Sequence, residues 1–345
     1  MKRVMIVTDA WTPQVNGVVR TLQATGSELE RQGLSVRFLT PEGHNTIPCP
    51  TYPEIRLALL PGRRISKEID AFDPDALHIA TEGPLGWAAR AIALRHGLQF
   101  TTAYHTRFPE YVQARTGLPV SVSAAVLRRF HRPSSGVMVP SRTIISELQS
   151  RGFGQLRHWS RGVDTDLFRP LGVTRPERPV FLYVGRVAVE KNIEAFLRLH
   201  LPGEKWVVGD GPQMAALQSR YPDIHWMGVK KGQALAEVYN QASVFVFPSR
   251  TDTFGLVMAE AMACGTPVAA FPVAGPLDVV GPEAGVLSED LADAAMKALD
   301  CDRSAVLRWA SQFTWPEATR QFRGYLVPAS PWKAPIRADV TESSP

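Results

Sequence analysis

The chain has 345 residues, 45% of them apolar and 21% charged, a globular composition that rules out general disorder and is too long for one small core. Lys and Arg outnumber Asp and Glu by 38 to 33, and residues 1–165 hold 20 basic against 13 acidic residues (+7), leaving 18 against 20 (−2) for the rest. The basic residues are scattered singly, with no helix-turn-helix, zinc-finger or RNP pattern, so the first half suits an anionic surface or acidic partner and not nucleic acid.

In chain order, "RVMIVT" opens a series of short apolar runs, "LSVRFLT", "ALHIAT", "QFTTAY" and "SGVMVP". Stretches of helical period separate them, such as 18–31 and 85–95, and this alternation predicts βαβ units and a parallel, doubly wound sheet. Periodicity lapses through "RGVDTDLFRPLGVTRPERP", which marks the expected boundary. A second series follows: "VFLYVG", "KWVVGD", "IHWMG", "SVFVFP" and "PVAAFP", with helices expected over 191–199, 213–220, 233–241 and 256–264. The fold class is therefore α/β, with two facing Rossmann-like domains, 1–165 and 166–328, and one cleft beyond the carboxyl ends of their strands. The Pro/Ser-rich stretch 329–345 has no apolar period and is expected to be a disordered tail.

The chemistry concentrates at strand ends. In "SRTDTFGLVMAEAMACGTPV" a loop carrying Asp252 leads to a helix starting near Phe254 and Gly255, whose free N–H groups favour an anion. Glu260 lies about 7 Å further along that axis. Two carboxylates bracketing a helix end match a nucleotide sugar, with its polyol at either end and its diphosphate between. A capping Asp252 and a satisfied Glu260 are the alternative. "VGRVAVEKN" sets Gly185, Arg186 and Lys191 at another strand end, two cations that suit a diphosphate; pairing of Lys191 with Glu190 or Glu194 is the competing reading. "VVGDGP" supplies Gly209 and Gly211, where backbone can approach a ligand closely. "PQVNGVVRTL" supplies Gly17, expected to make a tight turn that brings a helix N-terminus to the cleft from the other side, and His105 follows "TTAY". The D-x-D triplets at 73–75 and 164–166 read as a turn and a connection, so no metal is expected. There is no P-loop, H-E-x-x-H or G-x-S-x-G pattern.

Four of these segments in this order resemble the retaining GT-B glycosyltransferases of family 4 over nearly the whole chain: Asp252-x7-Glu260 for the paired acids, "GRVAVEKN", "SRGVDTDLF" and "PQVNGVVRTL". The resemblance is to the subset containing GDP-mannose-dependent α-mannosyltransferases and sulfoquinovosyl- or glucosyl-diacylglycerol synthases. It implies that Arg186 and Lys191 hold the donor diphosphate, Glu260 the ribose and Gly17 the phosphate-side loop. The amides near Phe254, Gly255 and Leu256 would meet phosphate and sugar, and His105 and Asp252 the transferred sugar. Asp252 is shorter than the usual Glu, which leaves the sugar open. The donor, such as GDP-mannose or UDP-glucose, is a substrate, and no cofactor or metal is implied. The last helix, about 314–328, is expected to cross back to the first domain.

The acceptor, a lipid or glycan, is expected on the basic first domain. "LPVSVSAAVLRRFHRP" ends in Arg128, Arg129 and Arg132, and with Arg63, Arg64 and Lys67 it would rest on an anionic bilayer; an ordinary amphipathic core helix is the alternative. Cys49, Cys264 and Cys301 form no C-x-x-C pair, the N-terminus lacks a signal-peptide core, and no run reaches the roughly 20 apolar residues of a membrane span. The expected location is cytoplasmic, with peripheral attachment to the inner face of the membrane. A nucleotide-sugar 2-epimerase of the same fold and a non-catalytic sugar-binding protein are the rival functions.

Overall fold

The computed structural model describes residues 1–329 apart from Val15, Pro50 and Thr51. The tail expected over 329–345 therefore lies outside the described residues, save Ala329.

The first half runs β1 (Arg3–Val7), α1 (Gly17–Arg31), β2 (Ser35–Leu39), β3 (Thr46–Cys49), β4 (Tyr52–Ala58), α2 (Gly62–Phe72), β5 (Ala76–Ile79), α3 (Pro84–Arg95), β6 (Thr101–Ala103), α4 (Phe108–Thr116), α5 (Val120–His131), β7 (Gly136–Val139), α6 (Arg142–Ser150) and β8 (Leu156–His158). The second runs β9 (Val180–Val184), α7 (Ile193–Leu197), β10 (Glu204–Val208), α8 (Met214–Arg220), β11 (His225–Trp226), α9 (Gly232–Gln241), β12 (Val244–Phe247), α10 (Leu256–Ala263), β13 (Val268–Ala270), α11 (Pro276–Val279), β14 (Gly285–Leu287), α12 (Leu291–Ala298), α13 (Arg303–Ala310) and α14 (Trp315–Tyr325).

Each half is one parallel sheet, ordered β2-β1-β5-β6-β7-β8 and β11-β10-β9-β12-β13-β14; β3 and β4 form a separate antiparallel hairpin. Helices cover both faces, so the strands are apolar on both sides. Met5 and Val7 of β1 enter one cluster with Leu77 and Ile92, while Val4 and Ile6 enter another with Leu22 and Leu29. In β9, Leu182 and Val184 face Met258 and Met262, and Phe181 and Tyr183 face Ile193 and Phe196. Each fully buried side chain of this size contributes about 1.5–3 kcal/mol.

This strand order sets the site. The chain reverses direction across the sheet between β1 and β5, and again between β9 and β12, and loops after strands at such points flank a crevice. Helix α14 returns to the first half, where Phe322 packs with Leu22, Leu29 and Trp159, and Trp159 Nε1 donates to the Ala318 carbonyl at 3.0 Å. The helix expected over 191–199 is broken. A 3₁₀ turn, Val189–Lys191, ends at Asn192 with φ 52°, a left-handed conformation that Asn tolerates, and Asn192 Nδ2 donates to the Pro248 carbonyl at 3.0 Å.

Candidate active site

The loop after β9 carries Gly185 and Arg186, and Arg186 is exposed. Backbone bonds from Gly185 N to Val208 O (3.0 Å) and Val187 N to Asp210 O (2.9 Å) lay this loop against the one after β10. A Cβ on Gly209 would fall 1.9 Å from Gly185 O, and one on Gly211 2.4 Å from Val187 O. The missing side chains of these two glycines admit the neighbouring backbone, which carries Arg186.

Lys191 Nζ lies 2.6 Å from Asp252 Oδ1, so the cation and one of the paired acids meet directly, joining the loops after β9 and β12. Glu194, one of the two acids expected as alternative partners for Lys191, pairs with Arg198 and Arg220. Asp252 Oδ2 is buried without a hydrogen-bond partner among the described residues. Asp252 does not cap α10. That helix starts after Gly255, which adopts φ 81° and supplies no side-chain cap, leaving the first-turn N–H groups untaken by any side chain. Glycine is required at 255: a Cβ would stand 2.7 Å from Met258 Cε, in a backbone region other residues avoid. The Phe254 side chain is core, edge-on to Phe313 at 5.9 Å, so only its backbone is left for a ligand.

Glu260, on the first turns of α10, is 2% exposed. Its Oε2 accepts from the Tyr239 hydroxyl at 3.1 Å, and its Oε1 pairs with Arg20 of α1, from the opposite half. Burial, and secondarily Glu260, push the Tyr239 hydroxyl well above its usual range, so it stays a donor. Arg20 and Tyr239 were not singled out from sequence; the signal for Arg20 was its place three residues after Gly17, on the same helical face.

Gly17 is the first residue of α1, and its ideal Cβ position lies 3.6 Å from Leu256 Cδ1. The N-termini of α1 and α10 therefore face each other. The tight turn expected at Gly17 is corrected: its φ is not in the left-handed region, because Asn16 caps the helix by accepting from Val18 N and Val19 N, both at 3.0 Å. A Cβ at 17 would make ordinary contact with Leu256, and only a larger side chain would press on it.

His105 follows β6 and is 9% exposed. Thr253 Oγ1 donates to its carbonyl at 2.7 Å across the cleft, and Arg161 Nη2 lies 3.2 Å from its Nδ1. Burial foremost, then Arg161, His78 and His131, hold its imidazole well below the usual range, so it is neutral at pH 7. Segment 252–260 thus touches His105, Gly17 and Arg20 of the first half as well as Lys191 of its own.

The basic residues assigned to an acceptor or membrane lie on two helices, Arg63, Arg64 and Lys67 on α2 and Arg128 and Arg129 on α5, all exposed. Arg64 donates to the Gly43 carbonyl, and Arg128 Nη1 to the Arg151 carbonyl at 3.1 Å. Of the D-x-D residues, Asp75 accepts from Arg3 N at 2.9 Å and Asp164 from Asp166 N at 3.2 Å. Among the described residues no group of three or more His, Cys, Asp or Glu is gathered as for a metal ion, and no helix is long and apolar enough to cross a membrane. Two surface hollows, of about 520 and 290 Å³, lie elsewhere, around Gly203–His225 and around Arg128–Gln155.

Residues 15–167 match the family model described as Glycosyltransferase Family 4, and residues 178–301 that of Glycosyl transferases group 1. The chain is similar to a GDP-mannose-dependent alpha-mannosyltransferase of Mycobacterium tuberculosis (strain CDC 1551 / Oshkosh), 31% identical over 309 residues, 81% of this chain and 82% of that protein. It is also similar to sulfoquinovosyl transferase SQD2 of Arabidopsis thaliana, 33% identical over 257 residues, 69% of this chain; the chain spans only 50% of that protein's length. Sucrose-phosphate synthase (tll1590) from Thermosynechococcus elongatus shares the GT-B fold, with a TM-score of 0.76 at 21% identity over 94% of this chain and 98% of that one.

Proposed function

The chain belongs to glycosyltransferase family 4, and from that premise we propose that it moves a hexose, mannose or glucose in type, from a nucleotide diphosphate sugar to a hydroxyl of a lipid or glycan, retaining the anomeric configuration and using no metal. The observation that carries this reading is the convergence on segment 252–260: Lys191 at Asp252, the His105 carbonyl at Thr253, Gly17 against Leu256 and Arg20 at Glu260.

In this reading residues 166–328 carry the donor and 1–165 the acceptor. The diphosphate lies between Arg186, Lys191 and the uncapped start of α10, where positive charge meets the negative charge that builds as the bond to the sugar breaks. Glu260, held by Arg20 and the Tyr239 hydroxyl, accepts from the ribose hydroxyls. Asp252 uses Oδ1 on Lys191 and has Oδ2 left for a sugar hydroxyl, while His105 contacts the sugar near the reacting carbon. The acceptor hydroxyl attacks from the leaving-group face and passes its proton to a phosphate oxygen.

An anionic membrane face is supported by α5. Its buried side is Ser123, Ala124, Leu127, Phe130 and His131, yet Val122 and Val126 are 47% and 50% exposed one turn apart, followed by exposed Arg129. This is more apolar surface than a helix packed on one side requires, and a lipid acceptor accounts for it.

The test is nucleoside diphosphate release from GDP-mannose and UDP-glucose, with and without diacylglycerol or glycan acceptors and with EDTA, together with the product anomer by proton NMR. Acceptor-dependent, EDTA-insensitive release with an α-product supports the reading. No release from any donor, an inverted product, or epimerised donor without transfer contradicts it.

A further inference from the structure

Arg161 is a cation 3% exposed, and among the described residues no carboxylate pairs with it. Burying such a charge is costly unless its surroundings compensate. Here Nη1 donates to the carbonyls of Trp159 (2.6 Å) and Ser160 (3.1 Å), and the guanidinium lies over the Trp159 ring at 4.2 Å. Its Nη2 is left to face His105 Nδ1 at 3.2 Å. Trp159 also braces the imidazole, edge-on at 5.7 Å, and Trp159 is itself tied to α14 through the Ala318 carbonyl. The backbone of His105 is fixed by Thr253.

A guanidinium has donors only, so the ring nitrogen facing it must accept. In a neutral imidazole one nitrogen accepts and the other carries the proton. We infer that Arg161 is a positioning residue that fixes His105 in the Nε2–H tautomer, so that an N–H donor, and not a lone pair, is offered to the transferred sugar. The inference rests on the reading of His105 as the sugar-contacting residue. Nε2 is buried and has no partner among the described residues, which leaves it as the ring nitrogen available to a ligand. The other titratable groups around His105 oppose its protonation: Arg161 from the segment after β8, His78 of β5 and His131 of α5. Burial holds Arg161 down to about 9, still a cation at neutral pH.

The consequence is chemical. A His105 whose Nδ1 is occupied by Arg161 and whose Nε2 carries hydrogen has no free lone pair to remove a proton from sugar or acceptor. It can hold a sugar hydroxyl oxygen, and it cannot act as the general base that a 2-epimerase would need.

The test is the tautomer itself, read in donor-free protein labelled with ¹⁵N-histidine by long-range proton–nitrogen correlation, the His105 signals being identified by their loss in His105→Gln. The expected pattern is neutral Nε2–H from pH 8 to pH 6, with no titration. An Nδ1–H tautomer or an imidazolium in that range would overturn the inference without any variant. In Arg161→Met the ring is expected to titrate upward and mix tautomers, and turnover to fall about 10- to 100-fold with a new acid limb in its pH profile. A folded Arg161→Met, judged by circular dichroism, that keeps the wild-type tautomer and pH profile would remove Arg161 from the role. The wild-type spectrum decides if that variant does not fold. A correct tautomer in a protein that turns over no donor would instead count against the sugar-transfer reading alone.

Discussion

Lys191→Met removes one cation while keeping most of the apolar stem, and its consequences separate stability from chemistry. Lys191 and Asp252 are 26% and 18% exposed in their side chains, so their pair at 2.6 Å is screened only in part. Breaking it leaves Asp252 with both oxygens short of partners, since Oδ2 already lacks one. That costs about 1–3 kcal/mol of stability, an effect that Asp252→Asn in the same chain should largely relieve, because an unpaired charge and not a lost contact is the cause. The effect on turnover is larger and is not relieved. Loss of one preorganised donor to a departing oxyanion costs about 3–4 kcal/mol, or roughly 10²- to 10³-fold in kcat. The assay is nucleoside diphosphate release at saturating donor, alongside thermal unfolding of both variants. A folded Lys191→Met with kcat close to that of the wild type would refute the assignment of Lys191 to the leaving group. Recovery of kcat in the double variant would show that its role is only to neutralise Asp252.

Gly17→Val should press a branched side chain onto Leu256, whose Cδ1 stands 3.6 Å from the Cβ position, and hold the two helix ends apart; donor KM is expected to rise about tenfold, and an unchanged KM would put the donor elsewhere. Burial lowers His78 to about 3 and His105 well below its usual value, so the unfolded chain binds protons near pH 6.5 that the folded chain does not. Stability is therefore present above about pH 6.5 and is lost as pH falls, by about 2 kcal/mol at pH 5 from His78 alone and in the same direction from His105, and urea titrations at pH 7.5 and 5 should show a smaller loss in His78→Gln. Val122→Glu with Val126→Glu should abolish sedimentation with anionic vesicles while leaving the melting temperature within a few degrees, because both valines are about half exposed; unchanged sedimentation would free α5 from the membrane role.

The sheets were legible because parallel strands buried on both faces leave apolar runs such as "VFLYV" and "SVFVF", whose burial needs no knowledge of partners. The hairpin β3–β4 was not, since Pro48 and Arg56 interrupt its period, and α2 hides because only Ile65 and Ile69 are buried in it. At the site, residues at strand and helix ends could be named from sequence, because the fold class places such ends beside one crevice. Partners distant in the chain could not. Arg20 reaches Glu260 over 240 positions, and Arg161 reaches His105 over 56, distances along the chain at which no local period carries information. Gly209 and Gly211 show another limit: a glycine signals close approach but does not name what approaches, and the Arg186 loop is one such neighbour here.

The most direct test of the donor site is a crystal structure with a bound nucleoside diphosphate. The account predicts the β-phosphate between Lys191, Arg186 and the first-turn N–H groups of α10, with the ribose hydroxyls on Glu260. A nucleotide bound elsewhere, for instance among Arg178, Lys205 and Arg220 in the hollow around Gly203–His225, with the Lys191–Asp252 pair undisturbed, would contradict it.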